Sequence, residues 1–436
     1  MQNKILIVLL LVASFSCRKS DYFLEDNNET ITDDGFGTGT VTWTADKEYT
    51  LEGFVFVNDG QVLTIEAGTV IRFESGQAEN ASALIVARGG KIVAEGTEDK
   101  PIIFTSLLDD LNGSVSRDMR GLWGGLVILG NAPINVSGGE ASIEGIALAE
   151  PRGIYGGIDE ADNSGVLKYV SIRHGGTNIG DGNEINGLTL GGVGNQTQID
   201  YVEVISNEDD GIEIFGGTVN LKHMVVSGCG DDLFDYDLGW SGNGQFWLGV
   251  QEDLPGDHLI EAGGGVDPVY GLPNSLPNLF NLTLIGSGKS SAGACSIFEK
   301  NAGGLIANSV FMNKNKGIVV EVTDQQHDSY NQWKNGKLAI KNNVFFEVAS
   351  STPETIFKLS GLFSPEIENE WAAAFNTSKN EIKDPLIDFT SGSFMPGEKV
   401  KGEMFEYPLP WFQIVDFKGA FGEDDWIQGW TLLYNL

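Results

Sequence analysis

The sequence predicts an all-β solenoid, and three observations carry that prediction. Short strands with apolar alternation recur from Val62 to Phe346, with glycine and asparagine turns between them and no helical period. Acidic pairs recur in register: Asp209 to Asp231 spans 22 residues, as does Asp210 to Asp232. The 436 residues include 58 glycines and only 13 prolines without a collagen repeat, which suits a fold of many tight turns. A hydrophobic content of 41% is ample for a continuous core.

Taken in order, the chain opens on a short cationic and apolar segment. Lys4 precedes the apolar run Ile5 to Val12, which is too short to span a bilayer. It leads through small residues into Cys17. This start resembles a bacterial lipoprotein signal peptide, which implies removal of residues 1–16 and acylation (palmitate) at Cys17. Residues 17–39 are polar and rich in Gly, Asp and Thr, and read as a flexible tether. Their acids resemble, loosely, the export signal of cell-surface lipoproteins in Bacteroidota.

The solenoid is expected over residues 40–350. In Val62–Phe73, Leu63, Ile65, Ile71 and Phe73 point inward, with Thr64, Glu66 and Arg72 outward. One strand template recurs at Lys168, Asp200, Lys222, Phe280, Ala307 and Lys341. Asn281, Asn308 and Asn342 or Asn343 hold similar places, and predict a ladder of amides bonding from rung to rung. Insertions are expected at 107–120 and 242–277, where loops of a solenoid often bind ligands. Residues 351–436 form a C-terminal extension, with Trp411, Trp426 and Trp430 expected to cap the last rung. Cys229 and Cys295 are either buried thiols or a disulfide.

The stretches LTIEAGTVI (63–71), ARGGKIVAEGTEDKPIIFTS (87–106), GLWGGLVILGNAPIN (121–135), NEDDGIEIFGGTVN (207–220) and GDDLFDYDLGW (230–240) resemble a known group. They are similar to Bacteroidota outer-membrane lipoproteins of the right-handed parallel β-helix, or pectin-lyase-like, superfold. The resemblance implies a single-stranded right-handed parallel β-helix with inserted loops and an aromatic C-terminal cap. It also implies a lipid-anchored outer-membrane location facing the cell exterior. It implies no settled activity.

The formal charge of −34 argues against nucleic acid and anionic membrane surfaces as partners. A bare polyanionic glycan is disfavoured for the same reason. The candidate site is an acidic column: Glu208, Asp209, Asp210 and Glu213 on one rung, with Asp231, Asp232, Asp235 and Asp237 on the next. Rungs stack about 4.8 Å apart, so these carboxylates repel unless they hold protons or share a cation. Asp209, Asp210, Asp231, Asp232 and Asp235 are therefore candidate Ca²⁺ ligands. Asp209, Asp231 and Asp232 are candidate glycosidase carboxylates. The plainer reading is that some of these acids cap turns. Trp240, Phe246 and Trp247 follow directly, and suit either carbohydrate stacking or packing.

Polygalacturonase-type β-helices carry Asn-x-Asp, Asp-Asp, Gly-His-Gly and Arg-x-Lys motifs on successive rungs. Asn207-Glu208-Asp209 and Asp231-Asp232 resemble the first two. His258 falls in the expected insertion, and no Arg-x-Lys follows there. A lyase would need a base, for which Arg173 is the nearest candidate. The expected function is thus non-catalytic: binding of a glycan or a partner outer-membrane protein. A polysaccharide hydrolase or lyase using residues 207–237 is the alternative.

Overall fold

The computed structural model describes residues 28–434 apart from 181–182, 253–255, 266–267, 289, 324–325 and 390–391. The expected signal peptide and Cys17 lie outside the described residues.

The chain winds as a right-handed parallel β-helix. One face is a 10-stranded parallel sheet running from Phe54–Val57 to Phe357–Gly361. The other faces merge into an 18-stranded sheet, because the long strands Gly165–Arg173, Gln198–Ile205, Asn220–Ser227 and Asn243–Val250 bend around a corner. Tyr169, Tyr201, His223 and Phe246 sit at those bends with φ between +49° and +59°. The 22-residue period is a true rung: Gln198 pairs with Asn220 and Ile212 with Phe234. Alternation sets the core as expected, with Leu63, Ile65, Ile71 and Phe73 at 0–2% exposure. One apolar cluster runs inside the coil from Trp43 to Phe375.

Several expectations are corrected. The tether read over 17–39 is structured from Asn28, since Asn28–Ile31 pairs with Glu48–Leu51. Asp33 holds the following turn, accepting from Gly35 N and Phe56 N and pairing with Arg152 at 2.7 Å. The helix continues beyond residue 350: Phe357–Gly361 and Glu381–Ile382 add strands, and the short helix Pro353–Ile356 before the first and the helix Pro365–Thr377 between them mask the period.

The insertion expected at 242–277 is smaller, because Asn243–Val250 and Ile260–Gly263 are rung strands. A different insertion, at 131–162, was not read from the sequence; it holds the hairpin of Ala141–Ser142 and Ile154–Tyr155.

The C-terminal cap is also relocated. The helix Pro365–Thr377 covers the last rung with Trp371 and Phe375, Trp371 stacking on Phe357 at 4.5 Å. The described residues of 383–434 instead run back along the outside of the larger sheet as a strap. Trp430 meets Tyr169 edge-on, and Trp426 meets His223 likewise. The expected asparagine ladder splits accordingly. Asn281, Asn308 and Asn342 donate to strap carbonyls of Phe417, Phe405 and Glu403. Bonds between rungs are kept by Asn343, through Ser309 N and Ile306 O, and by Asn281, whose Oδ1 accepts from Gln245 Nε2 at 3.1 Å. Cys229 and Cys295 are buried free thiols, and burial raises the pKa of both.

Candidate functional site

The acidic column divides into a mouth and a buried stack. At the mouth, a cleft of about 510 Å³ is lined by Gln77, Arg120, Asn178, Glu208, Asp209 and Asp231. The 107–120 loop supplies Arg120, whose Nε lies 3.3 Å from Glu208 Oε2. Arg120 Nη1 is buried with no hydrogen-bond partner among the described residues. Gly230 makes this approach possible, since a Cβ there would lie 2.0 Å from the Glu208 carbonyl oxygen and 3.2 Å from Arg120 Nη1. Asp209 and Asp231 share the mouth, and each offers an oxygen within 4.8 Å of the other and of buried Asp210. Asp231 is exposed at the mouth, yet partial desolvation there, and then Asp257, raises its pKa.

Behind the mouth, side chains climb a corner rung by rung. Asp210 Oδ1 accepts from Asp232 N at 2.8 Å, Asp232 Oδ1 accepts from His258 N, and His258 Nδ1 accepts from Ala294 N at 3.0 Å. His258 therefore stands on the rung after Asp232 rather than inside an insertion. Because Nδ1 accepts, neutral His258 carries its proton on Nε2. That atom lies 3.5 Å from Asp257 Oδ2 and 4.0 Å from Glu261 Oε2. Burial lowers the His258 pKa, opposed by Asp257.

On the adjoining face Glu213, Asp235 and Glu261 stack in register on three consecutive rungs. They face outward from the coil, yet the 131–162 insertion brings Glu144 and Tyr155 over Glu213. Burial first, then neighbouring carboxylates, raises Asp210, Glu213, Asp232 and Asp235 well above the ordinary carboxylate range. Glu261 and Asp237 are raised too, burial again being the main cause. Three groups have metal-like spacing: Asp209 with Asp210 and Asp231, Asp210 with Glu213 and Asp235, and Asp232 with His258 and Glu261. The five acids read as Ca²⁺ ligands are thus not one site. Asp210 belongs to two groups, while Asp232 and Asp235 fall in separate ones.

The aromatic candidates are corrected. Trp240 and Trp247 are 0% and 1% exposed inside the coil, their indole N–H groups bonded to Val219 O and Leu221 O. No sugar reaches them. Phe246 is 3% exposed, stacked beside His223 under the strap. Alternation explains the miss: both tryptophans occupy inward positions that a motif reading ignores. His258, Glu261, Arg120 and Glu144 are the residues that sequence reasoning missed at the site. Only His258 left a signal, as a histidine following the Asp-Asp pair.

A family model described as a pectate-lyase-like β-helix domain matches residues 35–404. The solved structure of the Dettilon tailspike protein aligns with 76% of this chain and 70% of its own at 11% identity, with a TM-score of 0.31. No curated protein matches.

Proposed function

The chain belongs to the pectate-lyase-like β-helix domain family, and on that premise we propose that it is a glycan-binding protein of the cell envelope. In this reading Cys17 is lipidated and hangs the solenoid from the outer membrane. The observation that carries the glycan reading is the cleft of about 510 Å³, where Arg120 Nη1 is a donor with no hydrogen-bond partner among the described residues, beside the carboxylates of Glu208, Asp209 and Asp231. Hydroxyl groups bind such alternating donors and acceptors well. Three carboxylates against one guanidinium favour a neutral or amino-bearing glycan over an acidic one.

A hydrolase is the second reading, favoured by His258 standing on the rung after Asp231 and Asp232. Asp209, Asp210 and Asp231 each offer an oxygen within 4.8 Å of the others, a spacing nearer the roughly 5–5.5 Å between carboxyl groups of a retaining mechanism than the roughly 6.5–9.5 Å of an inverting one. One experiment separates the readings. Neutral, amino-bearing and acidic polysaccharides are titrated calorimetrically, and the same mixtures are assayed for new reducing ends. Binding of a neutral or amino-bearing glycan, weakened about tenfold by Arg120→Ala or Asp209→Asn without turnover, supports the lectin reading. Turnover abolished by Asp231→Asn would replace it with the hydrolase. Affinity indifferent to both cleft variants would sink the cleft as the binding site.

A further inference from the structure

We propose that Asp210, Glu213 and Asp235 bind a structural calcium ion beneath the 131–162 insertion, with the Asn186 side-chain oxygen as a further ligand. The site is distinct from the glycan cleft and does not depend on that reading.

Four observations lead there. One oxygen from each of the three acids lies within 4.8 Å of the others. Ligands on a Ca²⁺ ion, at about 2.3–2.6 Å from it, are held at such mutual distances. Second, Asn186 is 0% exposed, and its Oδ1 has no hydrogen-bond partner among the described residues. Its Nδ2 donates to Glu213 Oε2 and, at 3.1 Å, to Glu144 Oε1, so the amide head lies at the cluster. Asp235 Oδ1 is likewise buried and unpartnered. Orphaned buried oxygens are costly, and a cation between them removes the cost.

Third, among the described residues no ion pair reaches Asp210, Glu213 or Asp235. Lys300, the cation nearest in charge influence on Asp235, pairs with Glu299 at 3.0 Å. Fourth, the donors are all oxygen, which selects a hard cation over zinc or copper. The neighbouring triad is weaker on chemical grounds. His258 Nδ1 already accepts from Ala294 N, so Nε2 carries the proton and has no lone pair for a metal. At the mouth, Asp231 is exposed and water can solvate it.

The ion would fasten the insertion to the coil, because Asn186 joins Glu213 of the coil to Glu144 of the insertion. The test uses the full chain, with calcium and terbium as the probes. Elemental analysis after dialysis against calcium-poor buffer is expected to find one calcium per chain. EGTA at neutral pH is expected to lower Tm by several degrees, and added Ca²⁺ to restore it. Terbium is expected to replace calcium and emit on excitation of tyrosine, since Tyr155 lies over the site. Asp235→Asn and Glu213→Gln should lose the ion, the emission and the EGTA response, while Asp231→Asn keeps all three. If either buried variant fails to fold, the wild-type EGTA response and the Asp231→Asn control still decide. A wild-type chain that is free of metal and blind to both EGTA and Ca²⁺ overturns the site. So does an ion kept by both buried variants, or one lost in Asp231→Asn.

Discussion

The carboxylate of Glu203 accepts the backbone N–H groups of Leu432 and Leu433, each at 2.9 Å, although they lie about 230 residues away in sequence. It also accepts from the Ser171 hydroxyl, which in turn accepts from Arg173 Nε at 2.8 Å. Glu203 is 0% exposed, so bulk water does not stand in for it as the acceptor of Leu432 N, Leu433 N and the Ser171 hydroxyl. Glu203→Ala leaves the N–H groups of Leu432 and Leu433 and the Ser171 hydroxyl short of an acceptor, and removes the charge that faces the buried Arg173 guanidinium. We expect a loss of about 3 kcal/mol, read as a shift in urea midpoint at constant slope. Nothing in the local sequence marks Glu203 as different from the other outward acids. Its role comes from a segment that arrives only after the coil is complete. Arg120 is a similar case: it reads as a polar loop residue, and only the fold sets it against Glu208.

Among elements, the terminal helix and the strap divide the work that the sequence assigned to one aromatic cap. Pro365 at the first turn and Ser364 before it start the helix, and an apolar stripe of Trp371, Ala374 and Phe375 closes the coil. The strap instead covers an outer stack in which Tyr169 lies 4.4 Å from Tyr201, and Tyr201 4.2 Å from His223. Those rings meet because the bend residues repeat at the same corner on successive rungs. Trp371→Ala should remove the stack on Phe357 and the N–H bond to Lys358 O, at a cost of about 3–5 kcal/mol in chemical denaturation. Trp411→Ala, on the half-exposed part of the strap, should cost much less. Strand existence was legible from alternation and glycine turns. Which aromatic segment covers which surface was not, since tryptophans at the end of a solenoid suit either place.

At the scale of the molecule, the rungs bring carboxylates into stacks that no single segment contains. Glu213, Asp235 and Glu261 come from residues 22 and 26 apart, and register alone puts them in line. Their raised folded pKa values, with those of Asp210 and Asp232, set the sign of a pH effect. A raised value means that the folded chain binds the proton more tightly than the unfolded chain. The stabilisation is complete below the unfolded carboxylate pKa of about 4 and is lost as pH rises through the folded values. In EGTA, Tm should therefore fall as pH rises above about 4, the unfolded carboxylate value, and calcium should flatten that fall. A Tm that rises over this range in EGTA would contradict the burial of the stack. The sequence by itself determined the solenoid, its 22-residue rung, the inward residues and the acidic column. Each follows from periods of two residues and of one rung, which are local and repeat. The tertiary structure alone decided which acids share a site and that His258 stands above Asp232. It also decided where the 131–162 insertion and the strap fold back. Those outcomes rest on contacts between distant segments, whose pairing leaves no period in the chain.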